Sequence, residues 1–99
     1  MPGISTQGAI CSGHDCYPPR QVVAWSSNVF ANSKGCCRQY DAWGPHCRGC
    51  GKDHPCHISY GAAGSSQVYI NGMQALRVGD PVACGSCVAT GSENVGCGG

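Results

Sequence analysis

One internal repeat constrains this chain more than any local propensity does. Shifted by 39 positions, Ala24 to Asp41 falls on Ala63 to Asp80. Ala24/Ala63, Ser26/Ser65, Ser27/Ser66, Val29/Val68, Asn32/Asn71, Arg38/Arg77 and Asp41/Asp80 are identical, seven of eighteen positions, and Phe30 meets Tyr69. A shorter echo follows. ATGSENV, Ala89 to Val95, repeats AAGSSQV, Ala62 to Val68, at a shift of 27. Repeated units of this kind decide the fold, because each copy buries its apolar face only against its neighbours. The units are expected at about 24–41 and 63–80, with a partial one at about 89–97, in a single domain over 1–99.

Each copy reads as a β-hairpin. Val68 and Ile70 alternate with Gln67 and Tyr69, the period of a strand. Asn71-Gly72 supplies two residues tolerant of positive φ, the signal for a type I′ turn. Met73 to Val78 returns, and Gly79-Asp80-Pro81 stops it, because proline has no N–H for a ladder. In the first copy the turn is Asn32-Ser33, a weaker signal. Met1 to Arg20 reads as irregular, Gln21 to Trp25 as a short strand, and Asp41 to Tyr60 as a connector dense in Cys, His, Gly and Pro. No stretch carries a sustained helical period. The expected class is all-β and rich in loops.

Such a chain needs a staple. At this length a domain buries only roughly 60–70% of its extended surface. Sixteen glycines raise the entropy cost of ordering it, and one Phe, two Trp and four Tyr leave a thin core. Ten cysteines offer disulfides or metal. MPGISTQGAI lacks the basic start and apolar core of a signal peptide, and a reducing compartment favours thiols and metal. Only six Lys and Arg, with a net charge of +1, show no basic stripe for nucleic acid and no basic amphipathic helix for a membrane surface.

The four histidines are His14, His46, His54 and His57. Three lie in HCRGCGKDHPCH, interleaved with Cys47, Cys50 and Cys56, a density typical of metal sites. Two ligand sets are open. In the first, His14, His46, His57 and Cys84 flank the hairpins and would bind their connectors together at one end. In the second, Cys47-x-x-Cys50 and Cys84-x-x-Cys87 form a zinc-ribbon-like or redox module. Cys36-Cys37 occupies mid-strand positions and suits small apolar roles on opposite faces. Arg38–Asp41 and Arg77–Asp80 are expected to close their hairpins. No nucleophile–base pair stands out, so no catalytic residue is assigned.

At this point VYINGMQALRVGDPVACGSCVATGS and GHDCYPPR, Gly13 to Arg20, resemble the PAAR-repeat family over nearly the whole chain. The resemblance implies a small cone of β-hairpins around a pseudo-threefold axis, metal-stapled near its point. It implies a structural tip, not an enzyme. Such a tip caps a trimeric β-helical spike, one tip per trimer, in a phage tail or type VI secretion apparatus, and meets the target cell envelope transiently. It implies one structural Zn²⁺ held by His14, His46, His57 and Cys84. The expected setting is synthesis in a bacterial cytoplasm without a signal peptide, action at the apparatus tip, no fused effector domain and no nucleic acid.

Overall fold

Two tight hairpins carry the repeat. β1 (Phe30–Ala31) pairs with β2 (Lys34–Gly35), and β5 (Tyr69–Ile70) pairs with β6 (Met73–Gln74), both antiparallel. The structure is a computed structural model describing all of residues 1–99. It is all-β and contains no helix. Asn71 and Gly72 take φ of 53° and 82°, and Asn32 and Ser33 take 53° and 65°. The first turn therefore adopts the same double positive-φ geometry, with Ser33 bearing strain that glycine avoids at the matching position.

The two ends of the chain come together in the same hydrogen-bond pattern as the two hairpins, bridged at Gly3 and Gly96 with no turn joining them. In the first unit Cys36 N donates to Val29 O and Ser26 N donates to Cys36 O, at 3.0 and 2.8 Å. In the second, Ala75 N donates to Val68 O and Ser65 N to Ala75 O, at 3.0 and 2.9 Å. The same pair recurs as Ile4 N to Val95 O and Ser92 N to Ile4 O, at 2.9 and 2.8 Å. The closing turn recurs as well: Asp41 N to Arg38 O, Asp80 N to Arg77 O, and Ala9 N to Thr6 O. Tyr40, Gly79 and Gly8 each sit at positive φ inside these turns. The stretch Met1 to Ala9, expected to be irregular, is thus a return strand and turn. It hides from a repeat search because Thr6 and Ala9 stand where the other copies have their Arg and Asp.

Serines link the units in a ring. Ser26 Oγ accepts the N–H groups of Asn28 and Val29, Ser65 Oγ those of Gln67 and Val68, and Ser92 Oγ those of Asn94 and Val95. Each hydroxyl also reaches the next unit: Ser26 to Asn71 Oδ1, Ser65 to Gly98 O, and Ser92 to Asn32 Oδ1. The core follows the same symmetry. Ala31, Ile70 and Cys97 hold matching positions in one apolar cluster, as do Cys36, Ala75 and Ile4. A second cluster surrounds the fully buried Trp43 with Cys11, Val22, Cys37, Leu76 and Val82. Cys36 and Cys37 therefore face opposite cores, as alternation along a strand requires.

The clamps form as the residue pairs suggest. Arg38 Nε and Nη2 donate to the Asp41 carboxylate at 2.9 and 2.8 Å, and Arg77 repeats this on Asp80 at 2.9 Å for both. The backbone N–H of each arginine adds a further bond to the same carboxylate, at 2.8 Å.

The supposed connector is different from expectation. It contains the two longest strands, β3 (Ala42–Cys47) and β4 (Cys56–Tyr60), paired antiparallel. Ala42 faces Tyr60 and Trp43 faces Ser59; the register then slips, and His46 faces His57 and Cys47 faces Cys56. Gly44-Pro45 sits at the slip, where a missing N–H costs no ladder bond. Those two residues are why AWGPHC reads as loop. Conversely, Gln21 to Trp25 forms no strand, only single bridges from Gln21 to Ile10 and Val22 to Trp43.

Candidate metal centre

His14, His46, His57 and Cys84 each offer a donor atom, and these atoms all lie within 4.8 Å of one another. β3 and β4 supply His46 and His57 as cross-strand partners. Two of the four donors thus sit in strands, not in connectors outside them as the sequence suggested. His14 rides a tight turn closed by His14 N to Tyr17 O and Tyr17 N to His14 O, at 3.1 and 2.7 Å. Gly13 enters that turn at φ 74°, and a Cβ there would meet Tyr17 O at 2.5 Å. Cys84 lies in a turn closed by Val82 N to Ser86 O and Gly85 N to Val82 O, at 2.8 and 2.9 Å.

The three imidazoles converge through one kind of nitrogen. His57 Nε2 is 3.1 Å from His14 Nε2 and 2.6 Å from His46 Nε2. His46 Nδ1 lies 2.8 Å from Pro18 O, an acceptor only, so Nδ1 carries the proton and Nε2 presents a lone pair. His46 Nε2 thus offers a lone pair at the point where the other two Nε2 atoms converge. Tyr17 covers the group, its ring centroid 4.7, 4.9 and 4.3 Å from those of His14, His46 and His57.

The thiol is prepared as a thiolate. Burial raises the pKa of Cys84, but hydrogen bonds from Ser86 and the charge and hydrogen bond of Arg20 outweigh it and bring it to about 5. Arg20 is itself buried. Its Nε donates to Gly44 O at 2.8 Å, Nη1 to Cys11 Sγ at 2.9 Å and Ser86 Oγ at 3.1 Å, and Nη2 to Cys84 Sγ at 3.4 Å. It lies over Trp43, 6.0 Å from the ring centroid. Burial raises Cys11 too, and the bonds from Arg20 again prevail to lower it. One guanidinium thus lowers the pKa of two thiols. Three imidazoles and one thiol sulfur form a four-donor cluster that could hold a metal ion.

The competing cysteine set does not assemble. Cys47 is bridged to Cys56, and Cys50 to Cys16. Sulfurs tied in disulfides are not thiolate ligands. The state of these cysteines, left open by the sequence, is thus disulfide for four of the ten. Cys87 is free and exposed. His54 stands apart, its Nδ1 bonded to Arg48 O at 2.8 Å. Sequence reasoning missed Tyr17, Arg20 and Ser86. GHDCYPPR flagged the first two only as neighbours of His14, and nothing in the local pattern marks Ser86.

A family model supplies the context: the PAAR motif matches residues 12–90, a span that includes all four donors. The chain belongs to the PAAR family. Two proteins of Pseudomonas aeruginosa resemble it, the NAD(P)(+) glycohydrolase toxin Tse6 and the (p)ppApp synthetase toxin Tas1. Each is 36% identical to this PAAR chain over 80 residues, which is 79% of the chain. The match covers 19% of the first relative and 18% of the second, so the chain spans about a fifth of their length.

Proposed function

We propose that this PAAR chain is a non-enzymatic tip that caps a trimeric β-helical spike in a contractile injection apparatus, with type VI secretion favoured by the toxin relatives. The observation that carries the reading is the ring of three similar units, each passing a serine hydroxyl hydrogen bond to the next, to an Asn side chain in two and to the Gly98 carbonyl in the third. One chain with three equivalent faces matches three equivalent strand ends of a trimer. Their unpaired backbone groups would gain partners by strand addition. The exposed Phe30 and Tyr69, at matching positions, supply apolar area for such an interface. The tip would act outside the producing cytoplasm and touch the target envelope only transiently.

The relatives carry toxin names, and the part matched here is a small share of each. We assign to this chain the carrying role and no catalytic residue. His14, His46, His57 and Cys84 are assigned as ligands of one structural Zn²⁺, which suits borderline-soft imidazole and thiolate donors in a tetrahedral array. The metal supplies cross-linking alone. Around it, Pro18 O fixes the His46 tautomer, Arg20 and Ser86 hold the Cys84 sulfur, and Tyr17 shields the imidazoles from water.

Co-expression with a trimeric spike followed by mass measurement of the purified complex tests the assignment. One tip to three spike chains is expected. Any other ratio, or no complex with any spike of the same source, contradicts it.

A further inference from the structure

We propose that Cys16–Cys50 and Cys47–Cys56 form a redox lock on the metal centre: oxidised, they slow metal release, and reduced, they let the metal exchange. This rests on the metal reading above. Three of the four donors lie one or two residues from a bridged sulfur. Cys16 follows His14 by two, Cys47 follows His46 directly, and Cys56 precedes His57 directly. Cys47–Cys56 is the cross-strand pair next to His46↔His57. Cys16–Cys50 ties the turn carrying His14 to the loop that joins β3 and β4. Beyond β3 few backbone bonds hold that loop: Arg48 N to Pro55 O at 2.9 Å and Gly49 N to Cys16 O at 2.7 Å. Besides the bridges, the arm bearing two imidazoles and the turn bearing the third are joined by non-covalent contacts alone: His46 Nδ1 to Pro18 O, Gly49 N to Cys16 O and the Tyr17 ring over His46 and His57.

The location is selective. Cys11, Cys36, Cys37 and Cys97 are buried free thiols, while Cys47, Cys50 and Cys56 are exposed. Apart from the exposed free thiol of Cys87, the bridges are thus where an oxidant or reductant reaches. A second effect adds to the first. As thiolates, four cysteines beside the imidazoles would compete for a soft metal; as disulfides they do not. Each pair closes by losing two protons and two electrons to a disulfide oxidant of the glutathione or thiol–disulfide oxidoreductase class, which leaves as two thiols. Metal would be loaded where thiols are reduced and locked in where they are oxidised.

The test uses the full chain loaded with zinc, then either oxidised with glutathione disulfide or kept in a phosphine reductant. Zinc release to a colorimetric chelator is followed in the wild type, Cys16→Ser/Cys50→Ser, Cys47→Ser/Cys56→Ser and the fourfold variant. Oxidised wild type should release zinc about tenfold more slowly than reduced wild type, a size typical of losing groups that orient metal ligands. Each double variant should lose part of that difference, and the fourfold variant should show one rate in both conditions. Peptide mapping of the oxidised chain should find the two stated linkages. Equal release rates in the wild type, or oxidation that links other cysteines, overturns the lock while leaving the metal reading intact. Failure of either redox form to bind zinc overturns the metal reading, and the lock with it.

Discussion

The hairpin units and the metal end of this molecule are held by opposite means. In the units every device is repeated: a positive-φ turn, a serine that caps its own loop and reaches its neighbour, and matched apolar positions in one core. The metal end has no such redundancy. Its donors come from three separate segments and meet with exposed loops beyond them. The units satisfy most of their polar groups internally, the buried Ser5 Oγ being an exception. The metal end brings three imidazole Nε2 atoms and the Cys84 sulfur to one point. Repetition holds the first region together, and two disulfides with the convergence of single residues hold the second.

The largest effect should come from removing the metal. Binding free energy at a good structural site is on the order of 10 kcal/mol and counts as folding free energy. Chelation should lower the melting temperature by tens of degrees, and hydrogen exchange should show His46 and His57 opening well before Ala75 and Cys36. Uniform opening of both regions would erase the contrast.

Next in size is a broken clamp. Asp80 is buried and Arg77 half-buried, and Asp80→Ala leaves that guanidinium with only its bond to Gly98 O and removes the acceptor of Arg77 N. A loss of about 3 kcal/mol in denaturant unfolding is expected, with zinc content unchanged. Loss of zinc in this variant would show that the regions are coupled. Ser65→Ala removes the acceptor of two N–H groups and the link to Gly98 O, and should cost about 1–2 kcal/mol. The third unit permits the reverse experiment. Thr6→Arg with Ala9→Asp rebuilds the absent clamp opposite Asn32, and should raise stability by about 1 kcal/mol over either single change. An unchanged or lower midpoint would mean that the N-terminal turn is not equivalent to its two relatives.

The smallest effect concerns thiols. Burial, against a weaker opposing bond from Ser5, pushes Cys37 up to about 12. Its folded form holds the proton longer than the unfolded form does. The resulting stability is full below the ordinary thiol value of 9.0 and is lost as pH rises from there toward 12. Cys37 should therefore resist alkylation at pH 8 in the native chain, while exposed Cys87 reacts. Equal labelling would place Cys37 outside the core.

The same contrast explains what the sequence made legible. Val68, Asn71-Gly72, Arg77 and Asp80 act on near neighbours, so their spacing announces hairpins and clamps. His14, His46, His57 and Cys84 were nameable because they flank the repeat and match a family pattern. Three things stayed hidden. Pro2 to Ile4 pairs with residues at the other end of the chain, and its third-copy identity is erased at Thr6 and Ala9. β3 carries Gly44-Pro45 at a register slip, which masks a strand as a connector. Arg20 and Ser86 act on Cys84 through folding alone, with 64 residues separating Arg20 from the thiol it steadies.

X-ray absorption at the zinc edge of the zinc-loaded chain tests the central claim most directly. The account predicts four-coordinate zinc with three nitrogen ligands at about 2.0–2.1 Å and one sulfur at about 2.3 Å. The His14→Ala variant should show one nitrogen fewer, replaced by a water oxygen. Two or more sulfurs in the wild type, or a spectrum unchanged by His14→Ala, would contradict it.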